Sequence, residues 1–156
     1  MKIKIVTLIL LLTCYFSISH AGTNGIRIGV QFGGTQFLGV NIEKFYGDNS
    51  IRMNLGFFEV QEICISCSFN HYFLSSDVRP FIGVGLWDVL AITPKGIGSL
   101  TLLNFPLGVD WHVKNRHFLG AELDINYGFF CIDPEGKKEI ENIFLPFPGI
   151  YYKYGL

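Results

Sequence analysis

Two cysteines have the spacing of a metal-binding or redox motif. Cys64 and Cys67 are separated by two residues, the C-x-x-C spacing of zinc sites and dithiol centres. The flanking residues alternate in polarity and predict a strand, in which positions three apart face opposite sides and lie roughly 10 Å apart. Two such thiols can neither share one zinc ion nor form a disulfide. With Cys131 as the only other cysteine after residue 21, we expect no disulfide framework, no metal and no cofactor.

A second chemistry to consider is hydrolysis by a serine, a histidine and an acid. Such a site needs the serine and the histidine close together. His71 is near Ser68 in the sequence, but the two positions have opposite strand parity. Ser66, Asp110 and His112 have parities that place them on one common inner face, yet no path for a substrate to that face is evident. We therefore expect that the chain is not an enzyme.

The elements that position these side chains are strands of unusual polarity. In the segment Phe118–Cys131, one face is made of Leu, Ala, Ile, Tyr and Phe, and the other of Gly, Glu, Asp and Asn. A polar face that meets water rarely contains so much glycine, because glycine weakens an exposed strand. Glycine mixed with charge suits a crowded interior in which ions find partners. The pattern predicts that the apolar face points outward into lipid, as in a membrane β-barrel.

The same alternation recurs in eight segments, an even number, as a single-chain outer-membrane barrel requires. The segments are Ile26–Gly33, Phe37–Glu43, Ile51–Phe58, Ile63–Phe73, Phe81–Trp87, Leu103–His112, Phe118–Cys131 and Gly149–Leu156. Their connections are rich in Gly, Asn, Asp and Ser, which favours antiparallel pairing of neighbours. We predict an all-β fold, an eight-stranded antiparallel up-and-down transmembrane β-barrel that follows an N-terminal signal peptide.

The loops and the prolines refine this prediction. The third and fourth outer connections, Ala91–Ser99 and Ile132–Asn142, are predicted to be the longest. The first two outer loops are tight, which argues against a large surface-exposed binding apparatus. Pro106, Pro146 and Pro148 are expected to interrupt the sixth and eighth strands, because proline cannot donate a hydrogen bond to a ladder.

Seven charged side chains are predicted to form a layer inside the barrel: Arg27, Glu43, Arg52, Asp110, Glu122, Asp124 and Lys153. Turn centres set the registers and place Glu43 opposite Arg52 and close to Arg27. They also place Glu122 opposite Lys153, which lies beside Arg27 once the barrel closes. Because an eight-stranded barrel is filled by side chains, we interpret the layer as a plug rather than a pore. The alternative to a buried layer is that these charges are unrelated to one another and lie on a face exposed to solvent.

The N-terminus predicts export. Two lysines and the short apolar run Ile5–Leu12 are followed by small residues at the positions that precede a cleavage site after Ala21. We therefore divide the chain into a secretory signal peptide at 1–21 and an outer-membrane β-barrel at 22–156. The apolar run is too short for a membrane anchor. A lipoprotein cleavage box at Cys14 is a weaker alternative, because threonine precedes this cysteine.

Composition excludes some classes of function. Charged residues make up 16% of the chain, aromatic residues 15%, and the net charge is −1, so no basic field indicates nucleic acid as a partner. A soluble, lipocalin-like periplasmic barrel is the main structural alternative, but it would have aliphatic side chains inside and polar ones outside. Glycines and charges of both signs on the polar faces favour the lipid-facing arrangement.

Three segments resemble the small outer-membrane barrels of the OmpA/OmpX type: Arg79–Leu86 (RPFIGVGL), Pro106–Trp111 (PLGVDW) and Phe118–Leu123 (FLGAEL). The resemblance extends to the layout of the whole chain after the signal peptide, and implies the outer membrane of a Gram-negative (diderm) bacterium. These families usually end on an aromatic residue with an apolar residue two positions earlier, which signals to the barrel-insertion machinery. Tyr154 and Leu156 match the spacing, with leucine in place of the terminal aromatic residue.

We therefore expect an integral outer-membrane protein with a plugged polar interior, no enzymatic activity, and a structural or surface-interaction role. The expected partners are outer-membrane lipid and the barrel-insertion machinery, and the expected state is a monomer. The alternative function is a lipid-A-modifying or lipid-carrying barrel. A mouth that opens sideways into the lipid would favour this alternative, and a sealed lumen would favour the structural role.

Overall fold

The computed structural model describes residues 25–73, 76–133, 138–139 and 143–156. The predicted signal peptide at 1–21 lies outside the described residues. Within the described part of the chain, no helix is long and apolar enough to span a bilayer.

In the described part of the chain, nine strands form one closed antiparallel sheet. They are β1 (Ile26–Gly33), β2 (Gln36–Tyr46), β3 (Asn49–Phe57), β4 (Glu62–Tyr72), β5 (Val78–Thr93), β6 (Gly96–Lys114), β7 (His117–Ile132), β8 (Lys138–Glu139) and β9 (Ile143–Gly155). The short β8 pairs only with the end of β7. The other eight strands pair in chain order, and β9 closes the barrel on β1. The predicted eight-stranded antiparallel up-and-down barrel is confirmed.

The barrel has two distinct ends. Gly25 and Leu156 lie at one of them, which we call the terminal end, together with the turns at 47–48 and 115–116 and with Asp77. The opposite end, which we call the loop end, contains the turns at 34–35, 58–61 and 94–95, the end of β7 and the start of β9.

Side chains alternate between the lumen and the exterior along the strands. In β3, Arg52 and Asn54 are buried, whereas Leu55 and Phe57 are exposed. Every one of the eight barrel strands has large apolar side chains that are exposed, and most of the buried side chains are polar or charged. This distribution is the reverse of a water-soluble core, in which large apolar residues are the ones most often buried.

The hairpin between β5 and β6 is longer than predicted. Its ladder continues through Leu90↔Ser99 and Ala91↔Gly98 to Thr93↔Gly96, so only two residues turn the chain where a loop from Ala91 to Ser99 was expected. That prediction was wrong because the Pro and Gly signals were taken to span the whole connection. In the structure they lie at the tip and in the first residues of a paired strand.

The strands run through all three prolines, with local gaps in their pairing. β6 runs through Pro106, and its ladder with β5 lacks the pairs of Phe105 and Pro106, so the predicted interruption is limited to these two positions. β9 begins at Ile143 rather than at Gly149, and it runs through Pro146 and Pro148. The carbonyl of Pro148 still accepts from Gly34. Pro146 lies where β9 has no ladder partner on the β1 side among the described residues, so its missing N–H costs no ladder hydrogen bond there.

One side chain near the first turn faces the opposite way from the prediction. Phe37 was assigned to the inner face, but it is 51% exposed, and its ring lies 4.7 Å from the ring of Phe32 on the exterior. The cause is a register irregularity at the end of β1, where Gly33 pairs with Gln36 instead of continuing the regular ladder.

Candidate functional site: the lumen

The half of the lumen nearer the terminal end contains a layer of ion pairs. All seven charged residues predicted for the interior are buried. Three ion pairs form across the lumen: Arg27–Asp110 at 2.5 Å, Arg52–Glu122 at 2.6 Å and Lys153–Glu43 at 2.7 Å. They join β1 to β6, β3 to β7 and β9 to β2, which are not neighbouring strands in the sheet. Each pair therefore ties together strands that share no ladder, and Arg52–Glu122 joins opposite sides of the wall.

Glu43 accepts the most hydrogen bonds in this layer. It is opposite Arg52 in the β2–β3 ladder, as the turn centre predicted. Its carboxylate nevertheless accepts from the Lys153 ammonium at 2.7 Å, the Ser50 hydroxyl at 2.6 Å and the Tyr72 hydroxyl at 2.7 Å. Burial of a carboxylate is tolerated when it is both paired and hydrogen-bonded in this way.

The register between β7 and β9 differs from the prediction. Lys153 lies opposite Phe118 rather than Glu122, and on its other side it lies opposite Gly29, two residues from Arg27. The expected pair, 122 with 153, centres on 137.5, whereas the observed pair, 118 with 153, centres on 135.5. The turn centre was placed two residues too late in a long connection. The resulting shift in pairing is even, so the same side chains still face inward.

Aromatic rings pack against the guanidinium groups of this half. Arg27 is opposite Glu43, as predicted, but its guanidinium lies between the rings of Phe45 at 4.2 Å and Phe118 at 3.5 Å. Such cation–π contacts stabilise a cation that has left water. On the side of these rings nearer the terminal end, the barrel opens into a vestibule of about 1040 Å³, which is lined in part by Arg79.

Two residues predicted to point into this layer make different contacts. Within the described residues, Asp124 is in no ion pair and its Oδ2 has no hydrogen-bond partner, while its Oδ1 accepts from the Asn104 amide at 2.9 Å. His112 lies at the mouth of the terminal end, where Nε2 is 2.6 Å from the carbonyl of Asn115 and Nδ1 is 3.5 Å from Asp77. The layer of ion pairs is therefore smaller than the predicted set.

Amide side chains fill the middle of the lumen, on the side of the ion pairs nearer the loop end. Asn126 accepts from the Asn104 amide at 2.8 Å and donates to the carbonyl of Leu145 at 3.1 Å. Asn41 and Gln36 are equally buried, yet neither polar atom of either amide has a partner among the described residues. Buried amides of this kind commonly bind ordered water.

The turn between β1 and β2 folds into the lumen. Gly34 adopts a φ of 73° and donates its amide to the carbonyl of Pro148 at 3.0 Å. Thr35 is buried, and its hydroxyl lies 3.2 Å from that of Ser66 on β4. A Cβ atom at Gly34 would lie 2.4 Å from Asp124 Oδ2, so glycine fits here for its size as well as its backbone angle. This turn separates the ion pairs from the part of the lumen nearest the loop end.

Beyond the turn, the lumen becomes apolar. The ring of Phe58 lies 5.7 Å from that of Trp87 and 5.6 Å from that of Phe147, and the rings of Trp87 and Phe147 are 6.0 Å apart. Cys64 and Leu102 are buried at the same level of the wall, on the strands next to Trp87. We call Phe58, Trp87 and Phe147 the aromatic cluster.

The wall beside the aromatic cluster has a notch. The ladder between β1 and β9 ends at Gly33↔Gly149. β9 nevertheless continues to Ile143, paired on its other side with Gly128 of β7. Among the described residues, the stretch 143–147 has no ladder partner on the β1 side. The hairpin of β1 and β2 therefore extends less far toward the loop end than the neighbouring strand β9.

The structure does not assemble the motifs that the cysteines and histidines suggested. Cys64 is buried and Cys67 is exposed on opposite faces of β4, and the two do not form a disulfide with each other. Within the described part of the chain, no three His, Cys, Asp or Glu side chains are placed to hold a metal ion. The Ser66 hydroxyl contacts that of Thr35 in the turn between β1 and β2, whereas His112 contacts Asn115 at the terminal end. The two side chains are therefore not brought together.

Comparisons with known proteins bear on the fold. No family model matches the chain. No curated protein matches it in sequence. Among solved structures, the chain is similar to the N-terminal β-barrel domain of OprF from Pseudomonas aeruginosa, with a TM-score of 0.67 and 19% identity over 87% of this chain and 100% of that one. The likeness shows that this chain has the fold of an eight-stranded OmpA-type barrel.

Proposed function

We propose that this chain is an integral outer-membrane β-barrel whose lumen is closed by its own side chains. Its role is structural or in surface interaction, without catalysis. One observation carries the proposal: Arg52 and Lys153 are 1% and 0% exposed, whereas Val40 and Leu123 are 53% and 41% exposed. Apolar surface on all sides of a barrel is far larger than a soluble monomer usually shows. In a bilayer this surface meets lipid, and a closed barrel leaves no unpaired backbone edge over most of its circumference.

Aromatic side chains on the exterior support the same placement. Trp111, Tyr152 and His117 lie on the outer face near the terminal end, and His117 Nδ1 is 2.6 Å from the Tyr152 hydroxyl. Trp and Tyr are enriched where a membrane protein crosses from hydrocarbon to water. Leu123 and Val84 lie between this level and the loop end, and they are exposed and apolar.

The ion pairs support a closed lumen. Each joins strands that are not neighbours, and aromatic rings fill the space between the layer and the terminal mouth. An ion that crossed the lumen would have to separate buried pairs, which is strongly unfavourable. The proposed barrel therefore does not conduct ions at rest, and planar bilayers containing the pure protein should show no steady conductance.

The partners follow from this proposal. Outer-membrane lipid surrounds the apolar exterior, and the likeness to the OprF barrel is consistent with that membrane. Leu156 is 64% exposed at the terminal end, close to Tyr154, so this pair is accessible to the barrel-insertion machinery of a diderm bacterium. Export depends on the predicted signal peptide at 1–21, and the barrel acts as a monomer without a nucleic-acid partner.

Membrane fractionation and heat modifiability test the proposal. The protein should separate with outer membranes, and the folded barrel should migrate differently from the boiled chain on a gel. Single cysteines at Leu119, Ala121 and Leu123 should react with lipid-soluble reagents, whereas those at Gly120 and Glu122 should be protected. Free reaction of the first set with water-soluble reagents in vesicles would show that the barrel is not in the membrane.

A further inference from the structure

We infer that the notch between the β1–β2 hairpin and β9 binds one acyl chain of a membrane lipid, with the aromatic cluster as its inner wall. The inference rests on the proposed membrane location. It gives substance to the lipid-carrying alternative, since the notch opens sideways through the wall rather than along the barrel axis.

The backbone edge of the notch lacks donors. In an antiparallel strand, the N–H and C=O of one residue point to the same neighbour, and alternate residues point to opposite neighbours. The carbonyl of Pro148 accepts from Gly34, on the β1 side, so even-numbered positions of this part of β9 point toward β1, and 146 and 144 point into the notch beyond that bond. Pro146 and Pro148 therefore present no N–H on this side. An unpaired N–H in hydrocarbon is costly, and proline removes it, which fits a notch that holds an acyl chain.

The same edge is a poor site for a further strand. Strand addition needs a row of donors and acceptors on the open edge, and the prolines at 146 and 148 leave mainly acceptors. A second β-segment is therefore disfavoured as the occupant. Pro148 is the ladder partner of Leu123, in the middle of the outward apolar face of β7. The end of the notch nearer the terminal end therefore opens within the apolar outer surface of the barrel, which in the proposed location faces lipid.

The lining of the notch is apolar inside and outside. An outer groove of about 420 Å³ leads up to it between β1 and β9, lined in part by Val30, Phe32, Leu38 and Ile150. On the inner side, the ring of Phe147 contacts the other members of the aromatic cluster. A hydrocarbon chain that lay in the groove would continue over the hairpin of β1 and β2 onto these rings without meeting a charge.

The floor of the notch is the turned-in hairpin. Gly34 and Thr35 lie between the notch and the ion pairs, and the Thr35 hydroxyl points to Ser66. The turn uses its polar groups within the barrel wall, so it shields the charged layer from the notch. A chain would therefore end at the aromatic cluster and could not pass down the barrel.

The two tryptophans allow a direct test in vesicles of phosphatidylcholine with bromine on the acyl chains, because bromine quenches indole fluorescence on contact. Trp111 is 50% exposed on the outer face, and Trp87 is 2% exposed in the aromatic cluster. The variant Trp111→Phe leaves Trp87 as the reporter of the notch, and Trp87→Phe leaves Trp111 as the reporter of membrane insertion. We expect bromine to quench both, with a fractional loss at Trp87 comparable to that at Trp111.

The control for quenching through the wall is Phe81→Trp in a chain that also carries Trp87→Phe and Trp111→Phe. Phe81 is on the same strand and inner face as Trp87, 3% exposed, but among the rings of the terminal half. Its indole should be unaffected by bromine, and equal quenching there would overturn the inference. Quenching of Trp111 but not of Trp87 would overturn the binding of an acyl chain in the notch and leave the membrane location intact. Quenching of neither tryptophan would overturn both the acyl-chain site and the membrane location.

Discussion

The two halves of the lumen are stabilised in different ways. In the half nearer the terminal end, Glu43, Lys153 and Arg52 each have a charged partner, and the ion pairs join strands that are not neighbours. In the half nearer the loop end, two things are missing among the described residues: a hydrogen-bond partner for amides such as Asn41, and a ladder partner on the β1 side for the stretch of β9 beside the aromatic cluster. The first half is held by specific pairs and the second mainly by filling.

This difference has a physical consequence. A buried charge without its partner is strongly destabilising, so the charged half tolerates few single changes. A buried amide that already lacks a protein partner loses little when it is replaced by an apolar group of similar size. The loop half is therefore the part of the barrel in which sequence can vary and a ligand can be accommodated, while the charged half keeps the barrel in register.

The largest effect is expected from Glu43→Ala. The change leaves the Lys153 ammonium buried without a carboxylate, and the loss of one partner of a buried pair costs about 3–5 kcal/mol. The free energy of unfolding, measured by urea titration of the barrel in lipid vesicles, should fall by that amount.

Two double variants sharpen this prediction. Glu43→Ala with Lys153→Met removes both members of one pair, and it should recover much of the lost stability. Glu122→Ala with Lys153→Met removes members of two different pairs and leaves Arg52 and Glu43, which are ladder partners and can pair with each other, so it should recover less stability than the first double variant. Greater recovery in the second double variant than in the first would show that Lys153 pairs with Glu122 rather than with Glu43.

Leu123→Arg tests the face that both halves share. Leu123 lies on the outer surface of β7, and an arginine near the bilayer midplane destabilises a membrane barrel by about 2–4 kcal/mol. Urea unfolding in vesicles should show this loss. An unchanged free energy of unfolding would mean that the position faces water, and the contrast between the two halves would then need a different explanation.

A pair of asparagine variants compares satisfied and unsatisfied amides at the same depth. Asn126→Leu removes hydrogen bonds to Asn104 and to the carbonyl of Leu145, and leaves those groups buried, at a cost of about 1–3 kcal/mol. Asn41→Leu removes an amide with no partner among the described residues, and should change the free energy of unfolding little. Equal losses at both sites would show that water satisfies Asn41 as well as protein satisfies Asn126.

Much of the fold could be predicted from the sequence, because strand alternation has a period of two and does not depend on distant residues. The alternation around Leu123 and Arg52 correctly separated outer from inner faces. Registers across tight turns, such as Glu43 with Arg52, followed from the turn centre. The ladder partner of Lys153 could not be predicted in this way, because a long connection does not fix the position of its turn centre.

The cross-lumen contacts could not be predicted in the same way. Which cation meets which acid depends on the tilt of the strands and on closure of the barrel, neither of which is a local property of the sequence. Sequence reasoning also missed the inward fold of Gly34 and Thr35 and the layer of buried amides. Asparagines at Asn41, Asn104 and Asn126, all on predicted inner faces, were a signal that could have revealed the layer.

Among the changes that remove a hydrogen bond between two side chains, the smallest loss of stability is expected at the turn that divides the two halves. Thr35→Val keeps the shape of the side chain and removes one neutral hydrogen bond to Ser66, which still accepts from the Asn54 amide at 2.7 Å. The loss should be about 0.5–1.5 kcal/mol, and Thr35→Ser, which keeps the hydroxyl, is the matched control. The loop half is held mainly by filling rather than by pairs. The free energy of unfolding of Thr35→Val, measured by urea titration, should therefore remain well above that of Glu43→Ala. A loss at Thr35 as large as the loss at Glu43 would mean that the inward turn, and not the ion pairs, fixes the barrel, and would reverse the roles assigned to the two halves.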